Sequence, residues 1–176
     1  ERLVQKLTGF YHDMVEQGYT LTTDVLKQAV VLADSEIAAQ LHLKPETPVI
    51  EIERLRAVDS TPIQHVTTYI PLELCEALVD ADLRNQSLYA FLDEQCGLMI
   101  ARGHRVIEAV PADKRIASML DIAPGAPLIR LVSVSYLEDG TPVEFYRALH
   151  RGDRTRFEVE LFRTRTFASA DTALSE

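Results

Sequence analysis

Apolar residues recur at helical spacing at Phe10, Tyr11, Met14 and Val15, with Thr8 placed to cap the segment and Gly18 to end it. A short helix is predicted over 8–17. Residues 22–33 are rich in Thr, Val and Leu and predict a strand. Asp34 and Ser35 then cap a helix over 36–43 that Pro45 stops. Strands over 49–59 and 63–70, joined at Ser60-Thr61-Pro62 and closed by Pro71, predict a hairpin. Two helices follow, over 72–79 and 87–95, the second ending at Gly97. Next come a strand over 99–110 and a helix over 112–120 before Pro124-Gly125. Strands over 128–137 and 143–150, turning at Glu138-Asp139-Gly140, make a second hairpin. A last short strand spans 157–163, and residues 164–176 read as a polar tail. Residues 1–7 carry no pattern and read as the remnant of a linker.

The chain repeats itself. Ile37-Ala38, Leu41, Pro45 and Pro48-Val49-Ile50 recur 79 residues later as Ile116-Ala117, Leu120, Pro124 and Pro127-Leu128-Ile129. Past one extra turn residue the offset becomes 80, from Thr61-Pro62-Ile63 to Thr141-Pro142-Val143. Two copies are too few to stack into a solenoid. Two units of helix, loop, strand, turn and strand would instead set their hairpins side by side in one antiparallel sheet, with both helices on the same face. The expected class is α+β, an antiparallel sheet with flanking helices and an internal pseudo-twofold duplication. A cleft where two such halves meet is a usual place for a small ligand.

Composition narrows the function classes. The chain has 176 residues, 47% of them hydrophobic and 26% charged, which is ordinary for one globular domain and excludes bulk disorder. Its longest apolar runs, such as Ala29-Val30-Val31-Leu32-Ala33, fall far short of a bilayer span, and no membrane partner is expected. The net charge of -9 argues against gripping a phosphate backbone through the general surface. Cys75 and Cys96 do not make a disulfide scaffold, and a reduced cytoplasmic setting is expected. His12, His42, His65, His104 and His150 show no metal-ligand spacing, and no Gly-rich phosphate loop or nucleophile elbow is present. No metal, no cofactor and no catalytic residues are expected.

One ordered set of motifs is more specific. Glu53-Arg54-Leu55-Arg56, Pro62, Thr68-Tyr69-Ile70-Pro71, Ser87-Leu88-Tyr89, Pro142-Val143-Glu144 and Arg151-Gly152-Asp153-Arg154 follow one another along the chain. Together with the duplication, this resembles the UTRA domain, the C-terminal effector-binding domain of HutC-type repressors in the bacterial GntR family. The resemblance covers residues 8–163. It implies a chorismate lyase-like fold and a dimer that binds a small-molecule effector. Contact with DNA would run only through an N-terminal winged helix-turn-helix domain that this chain lacks.

Arg54 and Arg56 lie two apart on a strand and project from one face. Their forked guanidinium groups suit bidentate recognition of phosphate or carboxylate. The plainer reading is a solvated pair bonded to Glu51 or Glu53; the resemblance implies that they grip the anionic group of the effector. Ser87 opens a helix, where it serves as an N-cap and, with Tyr89, can cradle an anion. The resemblance places both near a phosphate. Glu144, Tyr146 and His150 share parity on one strand. The resemblance sets Glu144 against sugar hydroxyls; Tyr146 also fits a core position, and His150, where relatives carry an aromatic, also fits a structural histidine. The matching stretch of the first copy offers His65 and Thr67. Arg102 and Arg105 line the cleft or the surface, at least one of them the surface. Arg151-Gly152-Asp153 reads as a turn in which Asp153 accepts backbone hydrogen bonds.

The expected function is a ligand-sensing and dimerising domain of a transcriptional repressor, binding an anionic metabolite such as a sugar phosphate or organic acid. The alternatives are a chorismate lyase-like enzyme acting on a small carboxylate, and a dimerisation module with a vestigial cleft.

Overall fold

In a computed structural model the described residues are 2–4, 18, 20–84, 86–157 and 160–162. The helix expected over 8–17 and the tail over 164–176 lie outside them. Strand β1 (Arg2–Val4) precedes β2 (Leu21–Leu32), α1 (Ser35–Gln40), β3 (Pro48–Val58) and β4 (Thr61–Pro71). Then come α2 (Leu88–Cys96), β5 (Arg102–Pro111), α3 (Lys114–Leu120), β6 (Pro127–Tyr136), β7 (Pro142–Arg151) and β8 (Glu160–Phe162).

Six strands form one sheet in the order β2-β3-β4-β7-β6-β5, antiparallel throughout. The central strands β4 and β7 are buried along most of their length, because both of their faces are covered. The edge strand β5 is exposed at eight of its ten positions. Arg2–Val4, within the expected linker remnant, pairs with Glu160–Phe162 as a separate two-stranded ribbon.

The repeat is written into the backbone. Asp34 caps α1 by accepting from the Ile37 amide at 2.8 Å. Asp113, 79 residues on, caps α3 by accepting from Ile116 at 2.8 Å. The loop bonds recur at the same offset: Ala33 N to Thr47 O and Ala112 N to Ala126 O are both 2.9 Å, and Glu46 N to Ala33 O and Gly125 N to Ala112 O are both 2.8 Å. Glu46 accepts a left-handed φ of 64° where the second copy has Gly125 at 84°. The strand order places β2-β3-β4 against β7-β6-β5, so the last strands of the two copies meet at the centre of the sheet.

Helices α1 and α3 pack on one face, which we call the helix face. Ile37, Ala38 and Leu41 meet Val49, Tyr69, Val134 and Phe145, while Ile116, Ala117 and Leu120 meet Leu128. The other face carries Ile50, Ile52 and Ile70 beneath Leu88 and Leu92 of α2. Burial of these side chains is worth about 1.5–3 kcal/mol each and holds α2 down on the sheet. Gly97, at a φ of 66°, ends α2 as predicted, with Leu98 N bonded back to Leu92 O at 2.9 Å.

Three local expectations are corrected. Residues 72–79 form two 3-10 turns, Leu72–Leu74 and Glu76–Val79, because Cys75 between them is extended at a φ of -157°. The first hairpin turns at Asp59 and Ser60, both left-handed at φ 48° and 65°, so Val58 pairs directly with Thr61. Cys75 and Cys96 are disulfide-bonded, with Cα atoms 5.5 Å apart across a separation of 21 residues. Their spacing carries no signature; the chain between β4 and α2 folds back to join them.

The turn after β7 holds Gly152 so close to β6 that an added Cβ would sit 2.8 Å from the Pro127 carbonyl oxygen. Asp153 there is gripped by the Arg151 side chain, Nε at 3.0 Å and Nη2 at 2.8 Å. Gly152→Ala should therefore cost about 1–3 kcal/mol by overpacking. A chemical denaturation midpoint unchanged from wild type would contradict this close approach.

Candidate functional site

Below Ile50 and Ile52, the same face of β3 continues as Arg54 and Arg56. Register extends this face across the sheet. Arg56 lies opposite Gln64, and Gln64 opposite His150. Thr68 lies opposite Tyr146, Tyr146 opposite Ser133, and Ser133 opposite Arg105. Glu144 lies opposite Ser135. Arg54, Arg56, Glu144, Tyr146 and His150 are thus brought to one face, and Tyr89 reaches them from α2.

Both arginines lie inside the protein, Arg54 at 3% and Arg56 at 6% exposure, which corrects the reading of a solvated pair. Neither is bonded to Glu51 or Glu53. Those carboxylates point to the helix face, where Glu51 meets Lys27 and Glu53 meets His65 and Arg115. Arg54 Nη2 donates to Thr68 Oγ1 at 3.3 Å, while its Nε and Nη1 meet no acceptor among the described residues. Arg56 Nη1 donates to Gln64 Oε1 at 3.4 Å. The Gln64 amide in turn donates to His150 Nε2 at 3.0 Å, so that nitrogen is an acceptor.

Glu144 is the one buried carboxylate among the described residues. It accepts from Tyr89 OH and from Ser135 Oγ, each at 2.9 Å. Burial pushes its proton affinity up, while these two hydroxyls and the charges of Arg54 and Arg105 pull it down. Burial also holds the Arg54 guanidinium below its ordinary value, opposed by Glu144. Arg56 is lowered further, first by burial and then by the like charge of Arg54. Among the described residues Arg54 has thus given up water for incomplete neutralisation, its Nε and Nη1 meeting no acceptor.

His150, 1% exposed, is held neutral. Burial, followed by the charges of Arg56 and Arg105, lowers its pKa to about 3. In the unfolded chain it would titrate near ~6.5. Between those values the unfolded state takes up a proton that the folded state refuses. This contribution to stability is complete above about pH 6.5 and is lost as pH falls, by at most about 1.4 kcal/mol per unit. His150→Gln should flatten the decline between roughly pH 6.5 and 5, seen in thermal melts of both proteins. Parallel melting curves would mean that His150 is not held neutral.

Ser87 caps α2, its Oγ accepting from the Ala90 amide at 3.4 Å, two residues before Tyr89. Thr67 does not join the cluster. It lies opposite Glu53 and Arg147 and so belongs to the helix face, one residue out of step with Thr68. His65 shares that face, bonded to Glu53 at 2.7 Å. Arg102 is exposed and stacks on Tyr136, 3.9 Å from the ring centroid. Arg105 turns to the cluster and lies 5.7 Å from the Tyr146 ring centroid. Gln64, Thr68, Ser133 and Ser135 were missed as site residues, while of Arg102 and Arg105 it is Arg105 that lines this face and Arg102 that lies on the surface. Among the described residues no group of His, Cys, Asp and Glu is arranged to hold a metal ion, and no helix is long and apolar enough to cross a membrane.

Comparison with known proteins gives a consistent result. The UTRA domain model matches residues 16–156. The repressor NagR of Bacillus subtilis (strain 168) is 28% identical over 157 residues, covering 89% of this chain and 64% of that protein. The mannosyl-D-glycerate transport/metabolism system repressor MngR of Escherichia coli (strain K12) is 27% identical, covering 88% and 64%. The crystal structure of the effector domain of PhnF from Mycobacterium smegmatis superposes with a TM-score of 0.85 at 25% identity, over 93% of this chain and 100% of that one. The chain thus spans under two thirds of the length of these curated relatives.

Proposed function

The chain belongs to the UTRA domain family, and from that premise we propose that it binds a small anionic metabolite as the effector of a bacterial GntR-family transcriptional repressor. The role is regulatory rather than catalytic, in line with relatives that are transcriptional regulators.

One observation carries the anionic class. Arg54 and Arg56, both buried, and Arg105, half-buried, share a sheet face with a single buried carboxylate, Glu144. An anion seated there would meet the buried nitrogens of Arg54 and Arg105 that find no acceptor among the described residues, and guanidinium forks match phosphate or carboxylate oxygens. Ser87 at the start of α2 would add a helix N-terminus to the cradle. Glu144, Gln64 and His150 offer acceptors and donors for hydroxyls, which suits a sugar phosphate or a hydroxylated organic acid. MngR is named for mannosyl-D-glycerate, whose glycerate part is a carboxylate.

Residues 8–163 would form the effector domain of a longer, cytoplasmic, dimeric protein, with DNA contact through a helix-turn-helix domain. The net charge of -9 suits a part that leaves DNA to another domain. Effector binding would shift the population of domain arrangements, which requires that it bind one arrangement better than the other. Thermal melts of the domain against a panel of sugar phosphates and hydroxy acids, each beside its uncharged counterpart, test the reading. It expects stabilisation by one or more anions only. Stabilisation by neutral sugars alone would overturn it.

A further inference from the structure

We propose that Arg105 is a second, separate anion contact of this site, so that the site selects effectors carrying two anionic groups over effectors carrying one. The inference rests on the anionic reading above and adds a specificity residue to it.

Arg105 lies on β5, the edge strand at the far end of the sheet from the β2–β3 side. Four strand spacings separate β5 from β3, about 19 Å between backbones. One rung of the register runs from Arg105 through Ser133 and Tyr146 to Thr68. Thr68 accepts the bond from Arg54. The rung is thus flanked by guanidinium groups entering from opposite sides. Arg54 and Arg56 are neighbours on β3, and the charge of one acts on the other. Arg105 is set apart from them, over the ring of Tyr146.

Among the described residues Arg105 forms no ion pair, and its buried Nε meets no acceptor. The charge of Arg105 reaches both Glu144 and His150, so it faces the same interior as the β3 pair. Its Coulomb attraction to Glu144 is shared with Arg54, which leaves one buried carboxylate for these two cations among the described residues. A single small anion on the β3 pair satisfies one end. A ligand with an anionic group at each end satisfies both, and the polar rung of Thr68 and Ser133 lies between them.

Calorimetric titration of the domain with matched open-chain probes tests this. 6-Phosphogluconate and 3-phosphoglycerate carry a phosphate and a carboxylate at two different spans; sorbitol 6-phosphate and glycerol 3-phosphate carry the phosphate alone. At least one two-anion probe should bind about ten-fold or more tightly than its one-anion partner, the worth of one charge-assisted contact. Arg105→Gln should weaken the two-anion probe far more than its one-anion partner and so erase that preference, and Arg105→Lys should restore part of it. If one-anion probes bind and no two-anion probe is preferred, the inference falls and the anionic site stands. The same holds if Arg105→Gln weakens both probe classes alike, which would mark Arg105 as a packing residue on Tyr146. If no probe binds the wild type or Arg105→Gln, the anionic reading falls with it.

Discussion

Replacing Arg54 by Met should stabilise the ligand-free domain and cripple it as a sensor. Arg54 is 3% exposed, and its Nε and Nη1 meet no acceptor among the described residues. Beside it stands a like charge, Arg56, and the single buried carboxylate is shared with Arg105. Desolvation of such a group exceeds what these partners return. Exchanging buried ions for apolar side chains of similar volume commonly stabilises a fold by about 1–4 kcal/mol. Glu144 keeps its two hydroxyl donors and Arg105 in the variant. The same exchange removes a forked, charge-assisted contact from the bound anion, at a loss of about 2–4 kcal/mol in affinity. Arg54→Lys should recover part of the affinity, since a point charge cannot reproduce the fork. Thermal melts without ligand and calorimetry with the anion from the screen read the two effects separately. A ligand-free domain that melts earlier, combined with unchanged affinity, would make Arg54 a structural residue. A residue whose removal strengthens the fold and weakens binding is one that the fold retains for the ligand.

Glu144→Ala should act in the opposite direction on stability, with a loss of about 3–5 kcal/mol. The carboxylate accepts Tyr89 OH and Ser135 Oγ, and truncation leaves both hydroxyls without their acceptor. It also strips the cluster of its only buried carboxylate among the described residues, leaving the cations to repel one another. Tyr89 is the polar link by which α2 reaches the sheet at this point, so the loss spreads to the packing of Leu88 and Leu92. Glu144→Gln should retain part of the hydrogen bonding and fall between. Added anion should stabilise Glu144→Ala more than it stabilises wild type, because it restores the missing negative charge. Urea midpoints with and without phosphate check both statements. A variant as stable as wild type would mean that the cluster is neutralised by something other than Glu144.

The strands and both hairpins could be read directly from the chain, since alternation and turn residues set the pleat and the ends of each strand. The repeat in the sequence holds more than the pairing of its two hairpins. Applied to Glu144, the offset of 80 points to Gln64 and not to His65 or Thr67. Parity then carries Thr68 to the same face as Gln64, where the register places it. Applied to Arg54 and Arg56, the offset of 79 points to Ser133 and Ser135, which line the same face from the second copy. Thr67 was misplaced by a single residue, which in a strand is a change of face. The burial of the arginines was not legible. An Arg at alternate strand positions looks the same whether its face is solvated or covered, and the packing of α2 on this face, with Tyr89 reaching Glu144, joins segments distant in sequence. Which of Arg102 and Arg105 faces the cluster was not legible either: β5 is exposed at most positions, and the register with Ser133 and Tyr146 sets Arg105 inward. The disulfide depended on a fold-back that no spacing encodes.

The central claim is that this sheet face recognises the negative charge of an effector. The most direct measurement is calorimetric titration of the domain with the stabilising anion and with its analogue in which the anionic group is replaced by a hydroxyl. The account predicts that wild type loses about 2–4 kcal/mol of affinity for the uncharged analogue and that Arg54→Met shows little difference between the two ligands. Equal affinity of wild type for both ligands would contradict it.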